Sequence, residues 1–193
     1  MGTLQAVAVG VLTGVISSFA VWYFVTQRLS PNLSWVDHLE ERSADGYTGY
    51  RARLENRGKR PVYDVEITSK IVIDRLVPGE RRTYLAFAPR NLPVVLPTSS
   101  HEPGRVINVG PIFLDPAVLR RRQPFVPVEL IDRLERYEHV ALQDLLRLGE
   151  GGSVELTAYS RDVFSGARTL ATVTLGLHDI QVSARPPVTE PNG

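Results

Sequence analysis

Residues 4–25 form a continuous stretch without a charged side chain, and this stretch constrains the fold more than any other feature of the sequence. As a helix it would extend over roughly 33 Å, which is enough to cross a hydrocarbon core of about 30 Å. Trp22 and Tyr23 lie at its carboxy-terminal end, where aromatic rings favour the membrane interface, and Arg28 follows. The stretch therefore predicts a transmembrane helix over residues 1–25, with its apolar core at 4–25.

A cleavable signal peptide is the main alternative. It requires a basic segment before the apolar core, a shorter core and a cleavage site between small residues. No Lys or Arg precedes this core, which continues past the small-residue site Ser18-Phe19-Ala20. These features favour a retained helix.

The flanking charges predict an orientation. Arg28 and Arg42 follow the helix, whereas no basic side chain precedes it. The positive-inside rule then predicts a single-pass cell-membrane protein with the amino terminus outside and the large domain in the cytoplasm.

Small residues recur at every fourth position of the apolar stretch, namely at Ala6, Gly10, Gly14 and Ser18. A repeat of four exceeds the 3.6-residue turn, so the row drifts by about 40° per step around a straight helix. The central Gly10-x-x-x-Gly14 pair suits a right-handed crossing of two helices. We expect these four residues to form a helix-packing face that supports a homo-oligomer; the alternative is a simple membrane anchor.

After a linker at residues 26–34, the pattern changes to alternation of apolar and polar residues. Residues 50–55 and 64–68 each alternate, and Asn56-Arg57-Gly58 lies between them with residues that tolerate a turn. This pattern predicts two half-buried strands. If they pair as a hairpin, Arg51 and Arg53 would face Asp64 and Glu66.

This region resembles strand pairs of immunoglobulin-like β-sandwiches, including CARDB-type adhesion modules, which often read x-N-x-G-x-x-P-V-x-D-V. The matching residues are Asn56, Gly58, Pro61, Val62, Asp64 and Val65. The resemblance covers some 25 residues and implies a fold without implying an activity.

Further strands are predicted at residues 82–89 and 104–114. A hairpin is predicted at 153–177, with Ser165-Gly166 in its turn. Together with the preceding strands this makes six, and an all-β core of about seven strands fits a sandwich best. We therefore expect a mainly β protein, with an immunoglobulin-like β-sandwich over residues 35–182.

Residues 115–149 are predicted to form a helical insertion in this sandwich. Asp115 can cap a helix that begins with Pro116. The later part, residues 128–149, is either one helix ended by Gly149 or two short helices broken near 138–140. An apolar stripe indicates its buried face and consists of Leu130, Leu134, Tyr137, Ala141, Leu145 and Leu148. The proline-rich tail at 183–193 is expected to be disordered.

The sequence offers little chemistry. It has no cysteine, which excludes disulfides, thiol catalysis and cysteine-bound metals. Its formal net charge of +1 argues against nucleic-acid binding. No histidine lies in a metal-binding spacing, and the pairs Asp37-His38 and His178-Asp179 would point to opposite faces of a strand. We therefore expect no metal, no cofactor and no enzymatic activity, unless His101, Glu102 and Asp162 converge on a cleft.

The densest basic run is Arg120-Arg121-Arg122. One interpretation is a contact with anionic lipid or with a partner. The other is a solvated helix end whose cations complement the helix dipole.

These patterns predict a membrane-anchored protein-interaction or accessory module, with the bilayer and an unidentified protein as its partners. The alternative is a membrane-perturbing effector that oligomerises through the small-residue helix face and is regulated by the soluble domain. An overexpressed chain that depolarises the membrane would favour the alternative.

Overall fold

The computed structural model describes residues 2–29, 32–44, 47–89, 95–98, 104–109, 114–136, 140–161 and 168–182. The amino-terminal helix α1 is Thr3–Leu29. Within it, Gln5–Phe24 is long and apolar enough to cross a membrane, and none of this segment is buried. The helix extends past the predicted boundary at residue 25. The linker predicted at 26–34 is correspondingly shorter, since the first strand already begins at Leu33.

The first sheet is organised around β3 (Tyr47–Asn56). Strands β1 (Leu33–Trp35) and β2 (Leu39–Ala44) pair antiparallel with successive parts of one edge of β3, and β7 (Arg105–Asn108) pairs with the other edge. The short strand β10 (Ile180–Val182) adds parallel to β2.

The second sheet is organised around β4 (Val62–Asp74). Strands β5 (Arg82–Phe87) and β6 (Val95–Leu96) pair with one edge of β4, and β8 (Gly151–Arg161) with the other. Strand β9 (Arg168–Gly176) pairs antiparallel with β8. The predicted hairpin at 153–177 is confirmed in its strands, whereas its turn at Ser165-Gly166 lies outside the described residues.

Residues 50–55 and 64–68 form the two predicted strands, but the hairpin pairing considered for them does not occur. These residues belong to β3 and β4, which lie in different sheets. The segment at 56–61 carries the chain from one sheet to the other, and Arg53 contacts Glu40 of β2 at 3.4 Å. Local alternation predicted both strands correctly, but it carries no information about which strands become neighbours.

The helical insertion consists of α2 (Pro116–Arg120), α3 (Val128–Glu135) and α4 (Leu142–Leu146). As predicted, the Asp115 side chain accepts a hydrogen bond from the Ala117 amide. The second part is two short helices, and residues 137–139 between them lie outside the described part of the chain. Of the predicted stripe, four residues are buried: Leu130, Leu134, Leu145 and Leu148.

Residues 104–114 were predicted to form one strand, and among the described residues of this range only Arg105–Asn108 is a strand. Leu114 instead precedes α2, and residues 110–113 are not among those described. Strand β5 ends at Phe87, two residues before the predicted end. The predicted disordered tail at 183–193 also lies outside the described residues.

Both sheets and the insertion share one hydrophobic core. Trp35 of β1 is 7% exposed, and its indole Nε1 donates a hydrogen bond of 3.0 Å to the carbonyl of Ala171 in β9. This bond connects the two sheets directly. The protein is therefore mainly β, with two sheets enclosing a core and one apolar helix before them.

Tyr50 of β3 gives the fold a specific dependence on alkaline pH. Its ring is 2% exposed, and burial followed by the charge of Glu41 raises the pKa of Tyr50 to about 12. Between pH 10 and 12 an unfolded tyrosine ionises while Tyr50 stays protonated. The folded state then binds more protons than the unfolded state, so stability falls as the pH rises through this range.

We therefore predict that Tyr50→Phe makes the pH dependence of stability shallower. The free energy of unfolding of the variant should fall less steeply between pH 10 and 12, by up to about 1.4 kcal/mol per pH unit. Urea unfolding followed by circular dichroism at several pH values measures both slopes. Equal slopes for the two proteins would contradict this role of Tyr50.

Candidate functional site

A short connection fixes which end of the β domain lies beside α1. The helix ends at Leu29, and the carbonyl of Asn32 already accepts a hydrogen bond of 2.7 Å from the amide of Arg57. Three residues of chain extend at most about 11 Å. The turn after β3 is therefore held close to the end of the helix. We call this the helix-proximal end of the domain.

Asn56 organises this end. It is 1% exposed, and its Nδ2 donates to the carbonyls of Arg60 and Leu96 at 2.6 and 3.3 Å. Its Oδ1 accepts from the amide of Gly58 at 3.0 Å. One buried side chain thus holds the turn that connects the two sheets and joins it to β6.

A β-bulge opens a groove at the same end of the second sheet. Tyr63 pairs with Arg161 and Glu66 pairs with Tyr159, so two residues of β4, Asp64 and Val65, lie opposite one residue of β8. Asp64 adopts a φ of 51°, in the left-handed region that non-glycine residues rarely occupy. Bulges and such backbone conformations are concentrated at functional sites.

The bulge groove has a volume of about 430 Å³. Its lining combines two exposed apolar surfaces with charges of both signs, from Asp64, Glu66, Tyr159, Ser160, Arg161, Arg168, Thr169 and Leu170. Tyr159 and Leu170 are 46% and 61% exposed. Ser160 carries a buried hydroxyl oxygen with no hydrogen-bond partner among the described residues. This chemistry suits an amphipathic peptide segment with an apolar side chain flanked by charge.

No sequence pattern predicted this groove. The sequence contains one sign of the bulge. Val62, Val65 and Ile67 are all apolar, and all are buried in the structure, although strict alternation cannot place Val62 and Val65 on one face. The neighbouring arginines come from β8 and β9, and their approach to Asp64 depends on strand pairing that is not written in local sequence.

The residues of the predicted helix-packing face all lie on the exposed surface of α1. Ala6, Gly10, Gly14 and Ser18 are exposed, and a Cβ added at either glycine would have no atom within 4 Å. No contact within the described chain thus requires glycine at these two positions. Packing against a second helix stays a prediction.

The predicted interface residues lie at the carboxy-terminal part of α1. Trp22 and Tyr23 are 59% and 56% exposed, and the ring centroid of Trp22 lies 5.7 Å from that of Phe19. Arg28 lies in the last turn of α1, and its side chain is outside the described part of the structure. The backbone positions suit the predicted aromatic belt.

The predicted basic run does not form a cluster of three available cations. Arg120 forms an ion pair with Glu135, and Arg122 donates to the carbonyl of Val118 at 3.1 Å, while Arg121 is exposed. The insertion is anchored by α4 near Gly152, at the end of the sheets remote from α1. This placement favours the interpretation as a solvated helix end, and a lipid contact of the run stays a prediction.

The expectation that neighbouring histidines and aspartates point apart is wrong. His38 lies 3.6 Å from Asp37, and His178 lies 3.3 Å from Asp179, because the first pair is in a bend and the second in a 3-10 turn. The described residues contain no group of three side chains suited to a metal. The cleft considered for His101, Glu102 and Asp162 falls on residues outside the description.

No protein-family model matches the sequence, and no curated protein is significantly similar to it. Its function is therefore inferred from the short connection between α1 and the domain and from the bulge groove.

We predict that Asn56→Ala destabilises the β domain. The substitution leaves two carbonyls and one amide without their partner, at a cost of about 2–3 kcal/mol. Chemical unfolding of the full chain in detergent measures this loss. Asn32→Ala is the matched control at the same junction, because its side chain is exposed, and a change within about 0.5 kcal/mol is expected. Equal effects of the two substitutions would contradict the role of Asn56.

Proposed function

We propose that this chain is a membrane-anchored protein-interaction module, in which α1 is a retained single-pass anchor and the β domain binds a partner beside the membrane. The proposal rests on the short connection between the helix and the domain. The chain from Leu29 to Asn32 is too short to let the domain move away from the helix. A domain tethered in this way meets other proteins of the same membrane at a high effective concentration.

The bulge groove is the proposed binding surface. It lies at the helix-proximal end, because Arg161 ends β8 and Arg168 begins β9 on the side where β4 starts. A ligand of this groove would thus be a segment close to the bilayer, in a partner that is itself a membrane protein. Tyr159 and Leu170 would contact its apolar side chain. Asp64 and Arg168 would contact its charged groups.

The fold of the domain is proposed to be an immunoglobulin-like sandwich, in keeping with the motif around Asn56. The strand order supports this assignment. In the immunoglobulin arrangement strands A, B and E lie opposite strands C, F and G, with C′ beside C in the variable type. Taking β3 as B and β4 as C makes β7 strand E, β8 strand F and β9 strand G. Such sandwiches are used widely as binding modules on cell surfaces.

The domain is proposed to face the cytoplasm. Arg28 and Arg42 flank the helix on that side, and the helix-proximal turn adds Arg57, Lys59 and Arg60. An excess of basic residues near a membrane helix is typical of the cytoplasmic side.

Photo-crosslinking from two matched tyrosines tests the groove. Tyr159 and Tyr84 are both exposed on the outer face of the second sheet, at 46% and 52%, but only Tyr159 lines the groove. A photoreactive phenylalanine at position 159 of the full chain, expressed in its native membrane, should give a discrete adduct with another membrane protein. The same residue at position 84 should not give that adduct.

Leu170→Ala provides the second arm of this experiment. Removal of an apolar groove contact should weaken the adduct from position 159 by about tenfold, the equivalent of about 1.4 kcal/mol. No adduct from position 159, or the same adduct from both positions, would contradict the proposed binding surface. An adduct with twice the mass of the chain would identify a second copy and favour the self-associating effector instead.

A further inference from the structure

Basic residues from four segments lie at the helix-proximal end of the domain. These segments are the turn after β3 and the strands β7, β8 and β9. The turn after β3 contributes three of them, β7 begins with one, and the β8–β9 hairpin contributes two more. The last three each occupy the terminal residue of a strand that starts or ends at this side. The set consists of Arg57, Lys59, Arg60, Arg105, Arg161 and Arg168.

Carboxylates are fewer at this end. Glu55, Asp64 and Glu66 are the acidic residues of the adjoining strand positions, and Glu55 is engaged by Arg57 at 3.3 Å. The six basic residues therefore exceed the three acidic ones among the described residues. We call this set of six the helix-proximal basic surface.

The opposite end of the domain has a different charge arrangement. There, the described basic and acidic residues are equal in number, and two ion pairs form, with Arg75 at 3.1 Å from Glu150 and Arg82 at 3.1 Å from Asp74. The basic residues are Arg75, Arg81, Arg82 and Arg147, and the acidic residues are Asp74, Glu80, Glu150 and Asp179. The helical insertion likewise pairs its own charges, as in the contact of Arg120 with Glu135. The excess of positive charge is thus concentrated at the end from which α1 extends.

The covalent connection sets how far this surface lies from a bilayer that α1 spans. Residues 25–29 continue the helix for about 8 Å beyond the apolar segment Gln5–Phe24. The next three residues add at most about 11 Å. The basic surface therefore starts at most about 20 Å from the hydrocarbon edge, which is close to the sum of a headgroup layer of about 5–8 Å and a Debye length of about 10 Å.

A partly exposed aromatic ring accompanies these charges. Tyr63 is 42% exposed at the start of β4, and its register partner in β8 is Arg161. Tyrosine is enriched at membrane–water interfaces, because its ring is apolar and its hydroxyl is polar.

We propose that the helix-proximal basic surface binds anionic lipid headgroups and holds the β domain against the membrane that α1 enters. This inference rests on the proposed membrane anchoring and adds a specific lipid class to it. Each basic residue near an anionic surface strengthens association by about fivefold. The contact would fix the orientation of the bulge groove relative to the bilayer.

The test uses the full chain, which has no cysteine, so a single cysteine can be labelled. Tyr63→Cys carries an environment-sensitive nitrobenzoxadiazole dye at the helix-proximal end, and Tyr84→Cys carries it at the other end. Each protein is reconstituted into phosphatidylcholine vesicles with or without about 30% phosphatidylserine. The dye at position 63 should be at least about twofold brighter in the anionic vesicles, and about 0.5 M salt should abolish the difference. The dye at position 84 should be equally bright in both.

Two matched triple variants assign the effect to the surface. Arg57→Gln/Lys59→Gln/Arg168→Gln should remove the lipid dependence at position 63. Arg81→Gln/Arg121→Gln/Arg147→Gln removes the same number of exposed cations elsewhere and should retain it. Equal loss in both variants, or no lipid dependence in the parent protein at low salt, would overturn the inference.

Flotation of the same vesicles after alkaline carbonate washing separates this inference from the proposed anchoring. Protein that does not float with either vesicle would contradict the anchor itself. Protein that floats equally with both vesicles, with no difference in dye brightness, would leave the anchor intact and refute only the lipid contact.

Discussion

The short connection between Leu29 and Asn32 constrains where the β domain can lie relative to α1. It brings the end of a long apolar helix within about 11 Å of the turn that joins the two sheets. Asn56 stabilises that turn from inside, with hydrogen bonds to Gly58 and Arg60 of the turn and to Leu96 of β6. Because the turn is fixed to the core, the helix has a fixed attachment point on the domain.

This attachment makes the two ends of the domain different. The helix-proximal end has the bulge groove and the basic surface, whereas at the remote end α4 packs against β8 and basic and acidic residues are balanced. A packed hydrophobic core requires neither an excess of positive charge nor a bulge at Asp64. Their common location is accounted for if that end faces a membrane and a neighbour within it.

The elements that depend on interactions between residues close in sequence were predicted correctly. The apolar run of α1, the Asp115 cap and the alternation of β8 and β9 are each dictated by residues within one element, and all were predicted. Prediction failed where the outcome depends on distant segments. The partner of β3 and the approach of Arg161 and Arg168 to Asp64 follow from how the sheets assemble.

The predicted sites show the same difference between features on a single element and features assembled from distant segments. The small-residue row and the interface aromatics could be located, since each lies on a single helix. The arginine run was easy to find in the sequence, yet two of its three side chains are engaged within the insertion, Arg120 by the Glu135 carboxylate and Arg122 by the Val118 carbonyl. The basic residues beside α1 are scattered along the chain from 57 to 168, and only the strand register brings them together.

The most direct test of the account is the height of two positions above a neutral bilayer. A spin label on Tyr63→Cys and one on Tyr84→Cys, each in the full chain in phosphatidylcholine nanodiscs, can be ranged against headgroup-bound paramagnetic ions. Position 84 pairs with Val72, nine residues along β4 from Tyr63, which corresponds to about 30 Å. We expect the label at 63 to lie within about 20 Å of the headgroups and the label at 84 to lie clearly farther away. Equal heights, or a label at 84 nearer to the bilayer, would contradict it.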